Sequence, residues 1–85
     1  MNVRKPTEEE IKEFSQLPIW EKEESNFDWE YNATEQCLII EGEARVANLD
    51  GNEIKFGAGD FVEFPEGLVC TWHITKRIKK YYKFL

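Results

Sequence analysis

From Pro18 onward the chain is cut at short, regular intervals by turn-forming residues. The breaks are Ser25-Asn26, Asn32-Ala33-Thr34, Gly42, Asp50-Gly51-Asn52, Gly57-Ala58-Gly59-Asp60 and Pro65-Glu66-Gly67. Between them lie Ile19–Glu23, Phe27–Tyr31, Glu35–Glu41, Ala44–Asn48, Glu53–Phe56, Phe61–Phe64, Val69–Thr75 and Lys79–Phe84. These segments are too short for ordinary helices, and several alternate with a period of two. Their spacing predicts an all-β sandwich or barrel. Asp50-Gly51 between two such segments predicts a hairpin. One short helix is expected before Pro18. There Thr7 and Glu10 form a capping box, Glu8, Glu9 and Glu10 suit the positive end of a helix dipole, and Ile11 with Phe14 supplies an apolar edge.

Composition limits what such a fold can do. At 85 residues the chain has room for one domain, residues 1–85, with its core at about 18–84. A core of this size is marginal, and an aromatic content of 14% partly offsets that. The net charge of −6 disfavours nucleic acid and anionic membranes as partners. The basic residues Lys76, Arg77, Lys79, Lys80 and Lys83 are concentrated at the C-terminal end. The expected partner of that strand is the acidic segment Ile19–Glu24. One histidine limits metal and acid–base chemistry. Two cysteines, Cys37 and Cys70, make no CxxC pair and read as reduced, buried thiols. The sequence shows no charged-then-apolar leader, and its longest wholly apolar run is Cys37–Ile40. A soluble, cytoplasmic protein is the expectation.

Two stretches carry a family likeness. Glu35-Gln-Cys-Leu-Ile-Ile-Glu-Gly42 matches the end of the pattern G-x5-H-x-H-x3–4-E-x6-G. Gly59-Asp60-Phe-Val-Glu-Phe-Pro65-Glu-Gly67-Leu-Val-Cys70 matches the start of G-x5-P-x-G-x2-H-x3-N. Together they resemble the two motifs of the cupins. Trp20, Phe27, Trp29, Gly59-Asp60, Phe64-Pro65, Gly67 and Trp72 look like small single-domain cupins related to the cupin domains of (S)-ureidoglycine aminohydrolase. The resemblance implies a cupin-type double-stranded β-helix, a jelly-roll barrel, with the short helix at its N-terminal side. It implies little about function, because cupins host many chemistries.

The departures from the pattern concern the metal ligands. Glu35 fills the glutamate position, and Cys70 stands where the last histidine would be. A three-residue spacer puts Trp29 and Tyr31 at the two remaining histidine positions; a four-residue spacer puts Asp28 and Glu30 there. Phe27, Trp29 and Tyr31 share one strand face, and the apolar face is expected to point inward. The predicted pocket is therefore Trp29, Tyr31, Glu35, Cys37, Phe64, Cys70 and Trp72, with no metal site, no cofactor and no assigned catalytic residue. The aromatic residues could line a ligand cavity or simply fill the barrel. Parity turns His73 outward.

Glu35, among aromatic residues, would be partly desolvated, which favours its neutral acid and suits proton transfer or ligand orientation. The bland alternative is a carboxylate satisfied by backbone N–H groups or Tyr31. Three functions fit. The first is binding of a small molecule. The second is a metal-dependent or Glu35-based enzyme. The third is a dimeric interaction module, since cupins often pair through sheet faces and Lys80–Leu85 could pack there.

Overall fold

The computed structural model describes all 85 residues. In chain order the elements are β1 (Asn2–Arg4), α1 (Glu8–Phe14), β2 (Ile19–Lys22), β3 (Ser25–Glu30), β4 (Glu35–Asn48), β5 (Glu53–Gly57), β6 (Phe61–Phe64) and β7 (Val69–Phe84). The strands hydrogen-bond in the order β1-β6-β4-β7-β2, with β3 also on β7 and β5 also on β4. Every pairing is antiparallel. This is the all-β barrel that the turn spacing predicts.

Two expected breaks are absent. Glu35–Glu41 and Ala44–Asn48 form one strand, β4, and Val69–Thr75 and Lys79–Phe84 form one strand, β7. In β4 the expected turn at Gly42 is a bulge. The register between β4 and β7 shifts in steps between Ile39 and Ala44, so the strand is bulged there rather than ended. Before the bulge, Glu35, Cys37 and Ile39 are buried; after it, Ala44 and Val46 are. The inward parity thus changes from odd to even, as inserted residues in a strand require. Gly42 has φ 94°, and a Cβ at this position would lie 2.0 Å from the Arg77 carbonyl oxygen. Only glycine permits the approach.

Both β2 and β3 lie along β7. Ile19–Lys22 faces Ile78–Tyr81, and Ser25–Glu30 faces Val69–Ile74. The basic end of the chain therefore meets the acidic segment, as expected. Glu21 sits opposite Lys79, and Arg77 reaches Glu21 at 3.3 Å and Glu23 at 3.8 Å. The hairpin at Asp50-Gly51 joins β4 to β5, and Asn48 Oδ1 accepts from the backbone N–H groups of Asp50 and Asn52.

The main core lies inside the barrel. It contains Tyr31, Cys37, Ile39, Val46, Phe56, Phe64, Cys70, Trp72, Ile74 and Ile78. A smaller cluster of Phe14, Leu38 and Phe61 lies apart from it. The helix forms this cluster, with Phe14 meeting Phe61 edge-on at 5.2 Å. Ile11, expected on the same apolar edge, is exposed. Thr7 and Glu10 make the reciprocal capping box. Strand β1 was not expected, since three residues are too few to show alternation. It pairs with the edge of β6, and its Arg4 forms a two-pronged ion pair with Glu10 and lies over the Phe61 ring.

Gly42→Ala should destabilise the fold by about 3 kcal/mol or more, because backbone strain adds to the collision. Gly51→Ala, also at positive φ but in open space, should lose only about 1 kcal/mol. Urea denaturation compares the two. A second test concerns pH. The Arg4 guanidinium, with help from the Thr7 N–H, lowers the Glu10 pKa to about 2. Its ion pair therefore contributes stability above the ordinary carboxylate range, and the contribution is lost as pH falls toward 2. Glu10→Gln keeps an acceptor for the cap but removes the charge. It should lower the melting temperature slightly at pH 7, and the difference from the parent should shrink as pH falls through 2 and vanish below it.

Candidate functional site

Alternation on β3 and β7 builds the site. Phe27 faces Trp72 across the two strands, with rings stacked at 5.9 Å. Trp29 faces Cys70, two residues further on. Lys80 lies in the C-terminal half of β7, opposite Trp20 of β2 on one side and Ile39 of β4 on the other. Its parity matches that of Cys70, Trp72, Ile74 and Ile78, so its side chain enters the barrel. Glu35 begins β4 on the parity of Cys37 and Ile39 and also points inward.

These side chains surround a cavity of about 200 Å³. Its wall is made by Trp20, Phe27, Trp29, Tyr31, Trp72, Tyr82 and Phe84, and its polar groups are Glu35 and Lys80. All three tryptophans of the chain therefore line one space. Trp72 is fully buried and touches Trp20 at 6.1 Å, Phe56 at 5.5 Å and Phe64 at 5.4 Å. Trp29 is 51% exposed and stands at the rim.

The charged pair is the site's chief polar feature. Lys80 Nζ donates to Glu35 Oε2 at 3.0 Å, and each side chain is only 5% exposed. The ammonium also lies 4.7 Å from the Trp20 ring centre and 4.8 Å from that of Trp72. Cation–π attraction thus supplements the ion pair in a place that water scarcely reaches. A desolvated lone carboxylate, suggested by the sequence, is replaced by a carboxylate with its counter-charge. Burial pushes the Tyr31 phenol well above its ordinary range, and neighbouring Glu35 adds to the rise. Tyr31 is a neutral hydroxyl at physiological pH.

The predicted pocket residues divide into two groups. Trp29, Tyr31, Glu35 and Trp72 line the cavity. Cys37, Phe64 and Cys70 lie in the core outside that lining. Burial raises both thiols, Cys37 to about 12, so both are protonated and poorly nucleophilic. Both are free. Asp28 and Glu30, the alternative inward pair, are exposed, and Asp28 accepts from the Thr71 hydroxyl at 2.8 Å. His73 is bound at 2.8 Å to Asn26, across the outer side of the β3–β7 pair. The sequence reading did not include Lys80, Trp20, Phe27, Tyr82 and Phe84 in the pocket. Parity was an available signal for Phe27, which shares its face with Trp29.

The EutQ-like cupin domain family matches residues 9–82. The chain belongs to the EutQ-like cupin family. A DUF861 family protein from Thermotoga maritima is 42% identical, with a TM-score of 0.94; the match covers 99% of this chain and 98% of that one. The EutQ protein of Clostridium difficile and a putative ethanolamine utilization protein Q of Salmonella typhimurium are each 23% identical, with TM-scores of 0.71. Each of those matches covers 78% of this chain, which spans about half the length of either protein. No curated protein matches. The cupin assignment is thus supported at the level of EutQ-like and DUF861 proteins, and the narrower likeness to ureidoglycine aminohydrolases rests on motif resemblance alone.

Cupins of the usual pattern imply a metal at the Glu35 position, and this chain's donors do not fit one. Trp29 offers no ligand atom. Cys70, at the last histidine position, lies in the core outside the cavity lining. One Glu35 oxygen is already bound by an ammonium ion. Nowhere do three His, Cys, Asp or Glu side chains come together as a ligand set.

Removing one member of the buried pair should leave the other charge stranded. Glu35→Gln and Lys80→Met should each lose about 3–5 kcal/mol in chemical denaturation. The double variant should lose clearly less than the sum, and the thermodynamic cycle measures the coupling.

Proposed function

We propose that this cupin binds a small uncharged molecule, with one ring and a polar substituent, in its aromatic cup. The observation that carries the proposal is a cavity walled by three tryptophans around a self-neutralised charge pair. Size fixes the ligand class. An apolar cavity of about 150 Å³ takes benzene, so this one suits a ring with a short polar arm. Charge restricts it further. The pair is neutral overall, so a fully charged ligand would lose hydration without a free opposite charge to meet. A neutral ligand can accept from Lys80 or donate to Glu35 at little such cost, while its ring lies against indole faces.

The proposal departs from what a relative's name suggests. The Salmonella protein is named for ethanolamine utilization. An ethanolammonium ion entering this cup would meet the Lys80 ammonium already lodged on the carboxylate and on two indoles. Repulsion at that distance argues against an amine as ligand for this chain. The same lodging leaves Glu35 engaged rather than poised as a free acid or base, which favours binding over catalysis.

Tryptophan emission gives the test directly. Neutral monocyclic probes such as benzyl alcohol and benzamide should change it saturably, and ethanolammonium chloride should not. Trp29→Ala should weaken the response about tenfold while costing stability little, since Trp29 is half exposed. A flat response to every neutral probe would remove the binding reading.

A further inference from the structure

The place of Lys80 is unusual for a lysine. Its neighbours Lys79 and Lys83 carry their charges toward solvent or to exposed acids, with Lys83 reaching Glu13 on the helix. Lys80 alone turns into the barrel. There its ammonium has one hydrogen-bonded carboxylate at 3.0 Å and two indole rings, whose centres are at 4.7 and 4.8 Å. A carboxylate with aromatic faces around it is the general chemistry by which proteins hold ammonium ions. The remaining wall offers no competing donor set for a metal. Replacing a buried ion pair with apolar side chains is often neutral or stabilising, so burial of this pair is not explained by stability alone.

We propose that Lys80 is the barrel's own cation. Its ammonium fills a cage for a compact ammonium ion, built from Glu35, Trp20 and Trp72, and so determines which ligands the cup accepts. With the cage filled from within, metal dications and free amines are excluded and neutral ligands remain. Cutting Lys80 back to Ala removes the equivalent of a propylammonium ion from the cage. The vacated space then takes that ion from solution, and the selectivity of the cup inverts from neutral molecules to amines. Only the ligand-selectivity part rests on the binding proposal above; the cage itself does not.

Chemical rescue tests the cage. Propylammonium chloride should raise the melting temperature of Lys80→Ala saturably, by about 5 °C, and should leave the parent unchanged beyond a matched sodium chloride control. Propanol should not reproduce the rise, and neither should propylammonium in the double variant Lys80→Ala/Glu35→Gln. An equal shift in parent, single and double variants, or none in any, would overturn the cage. Should Lys80→Ala not fold unaided, its refolding yield from urea with propylammonium against propanol gives the same decision. The parent supplies an independent measurement. Its Lys80 ammonium protons should exchange with water at least tenfold more slowly than those of the other lysines by ¹⁵N NMR, and equal rates would count against the proposal. Stoichiometric Mn, Fe, Ni or Zn in the purified parent, lost in Glu35→Gln, would also sink it. Probe binding by tryptophan emission is a separate readout, so failure of the cage and failure of the cup are distinguishable.

Discussion

The ladder between β4 and β7 carries the barrel. It runs from Glu35 opposite Phe84 to Asn48 opposite Cys70, and β2, β3, β5 and β6 each attach to one of its two members. A ladder of that length in flat register could not wrap a core. The bulge around Gly42 lets it bend, and the close approach to Arg77 explains why the residue there has no side chain. The change of parity across the bulge also decides the chemistry. It allows Glu35 and Ile39 before the bulge, and Ala44 and Val46 after it, all to face the same interior.

Within that interior, aromatic packing and charge act together. Trp72 joins the two functions, since it packs against Phe56 and Phe64 in the core and turns a face toward Lys80. A charge pair in such surroundings has little water to compete with, which strengthens the attraction but makes either charge alone intolerable. The pair is consequently a strong constraint on geometry even where its net contribution to stability is small. It also gives the cavity a donor and an acceptor with no net charge, which is the basis of the ligand class proposed.

Much of the fold was readable because its signals are local. The Thr7–Glu10 cap, the Asp50-Gly51 hairpin and the shared face of Phe27, Trp29 and Tyr31 each depend on a few adjacent residues. The continuous β4 was not readable, because a glycine at a turn and a glycine in a bulge look alike until the partner strand is known. Lys80 was hidden for a related reason. In a run of basic residues it resembles its solvent-facing neighbours, and its partner Glu35 is 45 residues away. Cys37, Phe64 and Cys70, expected in the pocket, are buried in the core beside it. Their position outside the cavity lining depends on the depth of packing, which strand parity does not encode.

The order of strands along the chain has a consequence for how the protein is made. β2, β3 and β4 all hydrogen-bond to β7, which is synthesised after every one of them. As the chain leaves the ribosome, β4 can close its hairpin with β5 and pair with β6, but β2 and β3 have no partner. Trp20, Phe27 and Trp29 must wait in the open until residues 69–84 emerge. Packing of β2 and β3 is therefore deferred until β7 is free to pair, and the strand edges left open before then are where the chain most needs protection from its neighbours.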